Sequence, residues 1–256
     1  MSITIVEEKQ PSNGLFLPPA ISNILDICRI KLNFVPSAIL LLSAVALFLL
    51  DCLSGLVLFG VAVLFLCADC VLSCSTKRQN PSFCSARLLL LISAVLSLIY
   101  SLALTFKTEL YEAFNFELPV LFSRLNASMP NFLNDIVGTG FQSTALLFLC
   151  IFAVALIKFF SVNSLKRSYI NNMPYCGISL FGFILNLTIA IVLIAESLSY
   201  LGIVLPLISS KFSLGAADYA NLGALCGTAL FVLFEAVISL ITFIKIRKVK
   251  NAVFKA

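Results

Sequence analysis

Histidine and tryptophan are absent from this 256-residue sequence, and charged residues make up only 11% of it. The lack of histidine removes the commonest general base and the commonest metal ligand of proteins. Histidine-box desaturases, zinc proteases and histidine-dependent phosphatases are therefore disfavoured. The sequence also shows no glycine-rich phosphate loop and no serine nucleophile elbow. We expect no enzymatic activity, no metal site and no cofactor.

The scarcity of charge argues against a soluble fold. Hydrophobic residues make up 61% of the chain and the mean hydropathy is +1.08, well above the range of soluble domains. A soluble core of this length needs a polar shell, which a few short charged segments cannot supply. The sequence therefore predicts a single integral membrane domain whose main partner is the lipid bilayer.

Long apolar runs fill most of the chain. A helix that crosses the roughly 30 Å hydrocarbon core needs about 20 mostly apolar residues. Six such runs are present, at residues 33–50, 53–74, 88–106, 142–162, 177–201 and 219–244. They predict an all-α, polytopic transmembrane bundle of about six spans within residues 33–245, in which the first two spans form a tight hairpin at Asp51 and Cys52. A further re-entrant segment at 201–210 is left open.

The distribution of basic residues predicts the orientation. Lys and Arg resist transfer across the membrane, so they collect in cytoplasmic loops. With six spans, fourteen fall on one side and only Lys107, Arg124 and Lys211 fall on the other. Lys158 is counted with the fourteen, because it lies close to the predicted end of the fourth span and is expected to snorkel to the surface. Both termini are therefore predicted to be cytoplasmic, although the sequence does not specify which membrane.

Basic residues also raise the question of nucleic-acid binding, because the net charge is +5. They lie beside apolar runs, however, and lack aromatic or glycine-rich interleaving. No nucleic-acid partner is expected.

The segments that flank the spans carry their own patterns. Residues 1–32 are expected to form a cytoplasmic segment with an interfacial amphipathic helix, and residues 246–256 a basic cytoplasmic tail. Residues 107–141 mix apolar and acidic side chains and are expected to form an amphipathic loop on the outside. In that loop Asn126 begins an Asn-Ala-Ser sequence, the acceptor pattern for N-glycosylation.

Four of the nine cysteines, Cys67, Cys70, Cys74 and Cys84, cluster at the predicted cytoplasmic end of the second span. Cys67 and Cys70 form a C-x-x-C that is typical of redox sites. The four together have the ligand type of a metal or iron–sulfur site, but not a recognised spacing. Cys74 and Cys84 suit S-palmitoylation, because they lie next to the membrane beside basic residues. Packing of small apolar side chains is the interpretation we favour over these.

Ionisable residues inside the predicted spans are a sharper signal, because a charge at the bilayer centre costs roughly 2.5–3.5 kcal/mol. Glu235 lies ten residues before Lys245, or about 15 Å along a helix, which places it near the midplane. Asp69 and Glu196 lie nearer to the ends of their spans. These three are the candidate ion- or proton-binding residues, with Asn186 as a further member. The alternative is a protonated carboxyl that bonds to a neighbouring helix or subunit.

Two further patterns concern the relation between helices. Gly223-x-x-x-Gly227 would let another backbone approach closely, either within the bundle or between copies of the chain. Lys77-Arg78 followed by Asn-Pro-Ser-Phe-Cys resembles Lys166-Arg167 followed by Asn-Met-Pro-Tyr-Cys. A duplicated helix–loop–helix unit would produce this echo, but chance is the favoured explanation.

Two functional hypotheses follow from these patterns. The first is a non-enzymatic membrane-organising, trafficking or accessory subunit that associates with itself or with other membrane subunits. The second is a small proton- or cation-coupled transporter or channel subunit that uses an intramembrane carboxylate. Glu235 is the residue at which the two hypotheses diverge.

Overall fold

The apolar runs fold into six α-helices in the computed structural model, which describes residues 34–77, 82–105, 131–171, 177–204 and 216–253. The helices are α1 (Phe34–Leu50), α2 (Cys52–Lys77), α3 (Phe83–Thr105), α4 (Asn131–Asn171), α5 (Gly177–Ser199) and α6 (Ala216–Val253). A π-helical turn, Tyr200–Val204, continues α5. These described ranges contain no strand. The predicted all-α bundle is confirmed.

Five of these helices, α2 to α6, are long and apolar enough to cross a membrane. The sixth, α1, has 17 residues, or about 25 Å at 1.5 Å per residue, which is near the lower limit for a span. Large apolar side chains such as Leu42, Ile99 and Phe181 are exposed on the outside of the bundle. Lipid would cover this surface, as expected of a multi-pass membrane protein.

Several helices extend beyond the predicted apolar runs. Helix α4 covers residues 131–171 rather than 142–162, and α6 covers 216–253 rather than 219–244. Hydropathy marks only the part of a helix that lipid can surround, whereas the backbone continues as a helix through the polar residues that follow. The predicted outside segment 107–141 consequently ends inside α4.

Neighbouring helices are antiparallel and form a closed ring in chain order, with α6 packed against α1. Contacts near both ends of α3 and α4 show the antiparallel arrangement. Phe83, the first residue of α3, packs against Tyr169 near the end of α4. The Ser101 hydroxyl, near the other end of α3, donates a hydrogen bond to the Ala145 carbonyl oxygen at 2.9 Å. Helices α2, α4 and α6 therefore run parallel to one another.

One end of the ring, where α2 and α4 finish and α3 and α5 begin, carries most of the basic side chains of the described helices. Arg87 lies in the first turns of α3, Lys166 and Arg167 in the last turns of α4, and Lys245 towards the end of α6. We call this the basic end. The prediction that it faces the cytoplasm remains a prediction.

The turn between α1 and α2 is as tight as the sequence predicts, with Asp51 as the single residue between the two helices. Its carboxylate oxygens accept hydrogen bonds from the backbone N–H groups of Leu53 and Ser54, both at 3.2 Å, and so cap the start of α2. Gly55 follows at the closest approach of the helices. A Cβ atom at this position would collide with the backbone of Phe48, so the hairpin requires glycine there.

The Gly223-x-x-x-Gly227 motif faces α1 of the same chain. A Cβ atom at Gly227 would collide with the Ser43 hydroxyl, and one at Gly223 would lie 3.6 Å from the Ala46 Cβ. The absence of side chains at these two positions thus lets α6 approach α1 closely and close the ring.

Other sequence predictions fall outside the described residues. They are the interfacial helix within 1–32, the acceptor Asn126, and the part of the 201–210 segment that follows the π-helical turn. Each of these stays a prediction.

Candidate functional site

The three parallel helices α2, α4 and α6 each place one ionisable side chain in the interior of the bundle. Asp69 is 0% exposed, Lys158 is 6% exposed and Glu235 is 5% exposed. We call these three residues the central cluster. Glu235 lies sixteen residues from each end of the apolar span 219–251, and Lys158 lies near the middle of the span 144–171.

Lys158 joins the two carboxylates. Its Nζ atom donates a hydrogen bond to Glu235 Oε1 at 2.7 Å and to Asp69 Oδ2 at 3.2 Å. Asp69 Oδ1 lies 3.1 Å from the same nitrogen. One ammonium group therefore lies between two carboxylates in the interior of the bundle.

Two neighbouring groups hold the cluster in place. The Ser37 hydroxyl on α1 donates a hydrogen bond to Asp69 Oδ2 at 2.7 Å. The ring of Phe65, one turn before Asp69 on α2, has its centroid 5.4 Å from Lys158 Nζ, which is within the range of a cation–π contact. The side chains that surround Lys158 and Asp69 come from α1, α2 and α6. The position of Lys158 on α4 therefore depends on the packing of four helices.

The prediction that Lys158 snorkels to the membrane surface is wrong. It assumed that the fourth span ends near residue 162, whereas α4 continues to Asn171 and leaves Lys158 thirteen residues from its end. Lys158 also supplies a counter-charge to Glu235, with 2.7 Å between Nζ and Oε1. Without it, the basic residues on the predicted cytoplasmic side number thirteen rather than fourteen.

One face of α4 is polar, and this pattern in the sequence could have indicated that Lys158 is buried. Ser161, Ser164 and Ser168 follow Lys158 at intervals of three and four residues, so all four side chains share one face of the helix. The three serines are buried. A polar face of this kind is typical of contact with protein rather than with lipid.

A small cavity of about 20 Å³ adjoins the cluster. Its polar lining comes from Lys158, Ser161, Asn186, Glu235 and Ser239. A cavity needs roughly 10–15 Å³ of this kind of space to hold one water molecule, so this one is large enough. Asn186 is 2% exposed, and among the described residues its Oδ1 atom has no hydrogen-bond partner.

The structure brings together only some of the predicted site residues. Asp69, Glu235 and Asn186 meet around Lys158, whereas Glu196 is half-buried and lies ten residues, about 15 Å, beyond Asn186 on α5. Glu196 is therefore separate from the cluster.

The cysteines of the predicted cluster lie on two helices, α2 and α3. Cys67 and Cys70 are exposed on its outer face, while Asp69 between them is buried. Cys84 is exposed in the first turn of α3, near the basic end. Cys74 lies in α2, but its side chain is outside the described residues. Among the described side chains, no group of three or more His, Cys, Asp or Glu residues could hold a metal ion. Palmitoylation of Cys74 or Cys84 stays a prediction.

Comparison of the chain with protein-family models, with curated proteins and with solved structures found no match. The chemistry of the central cluster is consequently the main guide to function. Two carboxylates around one ammonium can exchange a proton or hold a cation, and neither process requires a cofactor.

Proposed function

We propose that this chain is a small proton transporter or channel subunit of a membrane, in which the central cluster binds and releases one proton. The observation that supports the proposal is the burial of Lys158 between Asp69 and Glu235 in the interior of the bundle. Of the two hypotheses drawn from the sequence, this geometry favours the second.

The charges of the cluster do not balance. With all three groups ionised, two negative charges face one positive charge and leave a net charge of −1. An uncompensated charge in the membrane interior is unfavourable by several kcal/mol. One proton shared by the two carboxylates makes the cluster neutral, so the site alternates most simply between a neutral form and a singly charged form.

Each residue has a distinct role in this proposal. Glu235 is the carboxylate that exchanges the proton, because it lies at the middle of α6 and lines the cavity. Lys158 stabilises the charged form of the cluster. Asp69 is held by both Ser37 and Lys158 and keeps the ammonium group in position when Glu235 is protonated.

A purely membrane-organising role does not explain why these three charged side chains are buried. A subunit that acts through lipid or partner contacts needs its polar groups on the surface, whereas the cluster is enclosed within one chain. Replacement of a buried charge triad by apolar residues is often neutral or stabilising. The stability of the bundle alone therefore does not account for the presence of the triad. All three groups come from this chain, and no second copy is needed to complete the cluster.

The test is proton flux into liposomes that contain the purified protein and a pH-sensitive dye, driven by a potassium diffusion potential. We expect the wild type to acidify the interior faster than empty liposomes do. Glu235→Gln keeps the size of the side chain but removes the exchangeable proton, and we expect it to reduce the protein-dependent flux by at least about tenfold.

Glu196→Gln is the matched control, because it makes the same chemical change on α5, away from the cluster. We expect this variant to retain wild-type flux. Both variants must elute as the wild type does in size-exclusion chromatography. Equal flux in the wild type and Glu235→Gln would refute the proposal, and so would wild-type liposomes no faster than empty ones. Either result would favour the membrane-organising role.

A further inference from the structure

Most residues that line the cavity follow a residue of the central cluster along its helix, although Ile157 directly precedes Lys158. The lining residue Ser161 is three residues after Lys158 on α4, and Ser239 is four residues after Glu235 on α6. Leu72 is three residues after Asp69 on α2. All three displacements point in the same direction along parallel helices, towards the basic end.

Two side chains nearer to the ends of their helices also line the cavity. Phe83, the first residue of α3, lines it, and so does Leu165, seven residues after Lys158 on α4. The cavity therefore adjoins Glu235 on the side of the basic end, and its volume of about 20 Å³ suits one water molecule. Among its apolar lining residues, Phe83 and Leu165 lie towards the basic end, whereas Leu72 and Ile157 lie beside the cluster.

Two aromatic rings lie on the opposite side of the cluster. Phe65 and Phe231 each lie four residues before their charged neighbour, Asp69 on α2 and Glu235 on α6. Both rings are fully buried and meet edge to face, with their centroids 5.5 Å apart. A pair of packed phenyl rings offers no hydrogen bond to water or to a moving proton.

We propose that the cavity is a water site and that it gives protons access to Glu235 from the basic end, while the Phe65–Phe231 pair closes the other side in this conformation. This inference rests on the proposed proton-transport function and adds its direction of access. Asn186 Oδ1, which is buried without a described hydrogen-bond partner, accepts a hydrogen bond from the water. The hydroxyl groups of Ser161 and Ser239 complete the polar lining.

The lining also distinguishes a proton from a metal cation. The oxygen atoms of Glu235, Asn186, Ser161 and Ser239 are the hard ligands that Na⁺ or a divalent cation would use. The Lys158 ammonium group lines the same small space, however, and would repel a cation placed there. Water accepts a hydrogen bond from the ammonium group and donates to the oxygens, so a proton carried through water fits this lining better.

The test is infrared spectroscopy of the protein in lipid films, in which the carbonyl band of a protonated carboxyl group shifts when H₂O is replaced by D₂O. We expect acidification of the wild type to produce such a band and Glu235→Gln to remove it. The rate at which the band shifts measures how easily water reaches Glu235. In Asn186→Leu, which makes the cavity apolar, we expect this rate to fall about tenfold.

Ser239→Ala tests the same access route with a smaller change to the cavity lining. It replaces Asn186→Leu in the test if that variant does not fold. Thr228→Val is the matched control. It removes a buried hydroxyl group from α6 seven residues before Glu235, on the side that the two phenyl rings close. We expect Thr228→Val to exchange at the wild-type rate.

The possible failures are distinguishable. Wild-type exchange rates in both Asn186→Leu and Ser239→Ala, with the Glu235 band intact, would overturn the access route and leave the proposed function standing. An equal slowing in Thr228→Val would overturn the one-sided access. Absence of a carboxyl band that depends on Glu235 would overturn the proposed function together with this inference. An exchange rate that depends on the Na⁺ concentration would show that the cavity binds a cation, and it would overturn the water site.

Discussion

Asp69 and Lys158 occupy matching positions on two parallel helices and meet in an ion pair, with 3.1 Å between Lys158 Nζ and Asp69 Oδ1. Each lies eight residues before a basic pair, which begins at Lys77 in α2 and at Lys166 in α4. Equal spacing from the same end of the bundle places the two side chains at about the same depth. The echo between these two stretches of sequence thus extends to the residues that carry the buried charges.

Removal of the ammonium group should destabilise the bundle strongly. Lys158→Met leaves two carboxylates buried without a counter-charge, and loss of one partner from a buried ion pair typically costs 3–5 kcal/mol. We expect a large drop in the temperature at which the detergent-solubilised protein is lost from the size-exclusion peak. The drop should be smaller at acidic pH, because protonation neutralises the two carboxylates.

The control for this variant is Lys245→Met, which removes a similar side chain from an exposed position of α6. We expect its stability to stay within about 0.5 kcal/mol of the wild type. Similar losses in the two variants would mean that burial of Lys158 contributes nothing to stability.

Neutralisation of the whole cluster should separate stability from transport. Asp69→Asn, Lys158→Met and Glu235→Gln together replace three charges by neutral side chains of similar size. Because a buried triad is often replaced at no net cost, we expect the triple variant to be about as stable as the wild type and far more stable than Lys158→Met alone. Proton flux should be lost. A stable triple variant that retains wild-type flux would contradict the proposed role of the cluster.

Gly227 should tolerate no side chain. In Gly227→Ala the new Cβ atom would lie 3.2 Å from the Ser43 Cβ and would collide with the Ser43 hydroxyl. The hydroxyl must then rotate away from its hydrogen bond with the Ile39 carbonyl oxygen, or α6 must shift by a few tenths of an ångström. We expect a loss of roughly 1–3 kcal/mol, as for other overpacked sites, measured by the same thermal assay.

Gly60 provides the comparison for this prediction, because a Cβ atom there would meet nothing within 4 Å. Gly60→Ala should be neutral, or more stable by up to about 1 kcal/mol, since alanine favours the helix more than glycine does. An equal effect of the two substitutions on stability would show that the close contact between α6 and α1 does not make Gly227 more sensitive to substitution than Gly60.

The orientation can be tested with two exposed thiols at opposite ends of the bundle. Cys52 lies at the turn between α1 and α2, and Cys84 lies near the basic end. In a background without the other cysteines, we expect a membrane-impermeant maleimide to label Cys52 on intact cells and to label Cys84 only after permeabilisation. The reverse pattern would place the basic end outside and both termini with it.

The number of helices and their approximate positions follow from the sequence, because a run of about 20 apolar residues has few stable alternatives in a membrane. The hairpin at Asp51 was equally predictable, since only Asp51 and Cys52 separate the two predicted spans there. Helix ends were less predictable. The polar residues of α4 beyond position 162 are as compatible with a helix as with a loop, and only the packed structure distinguishes these alternatives.

The candidate site was half predictable for a similar reason. Glu235 and Asp69 stood out because a carboxylate in an apolar run is conspicuous in any sequence. Lys158 did not, because its long side chain can reach the surface from a position near a helix end, and the predicted end of the span was too early. The depth of a lysine in a membrane depends on where its helix ends.

By itself the sequence determined which segments are apolar and long enough to span the membrane, which of their ends are polar, and at which ends the basic residues lie. These are properties of one helix at a time. Only the tertiary structure decided that Lys158 meets Glu235, 77 residues away, and Asp69, 89 residues away. Such a meeting depends on the rotation and relative depth of three helices, which packing against their neighbours sets. It turned isolated candidate carboxylates into one charge cluster with a cavity on one side and two phenyl rings on the other.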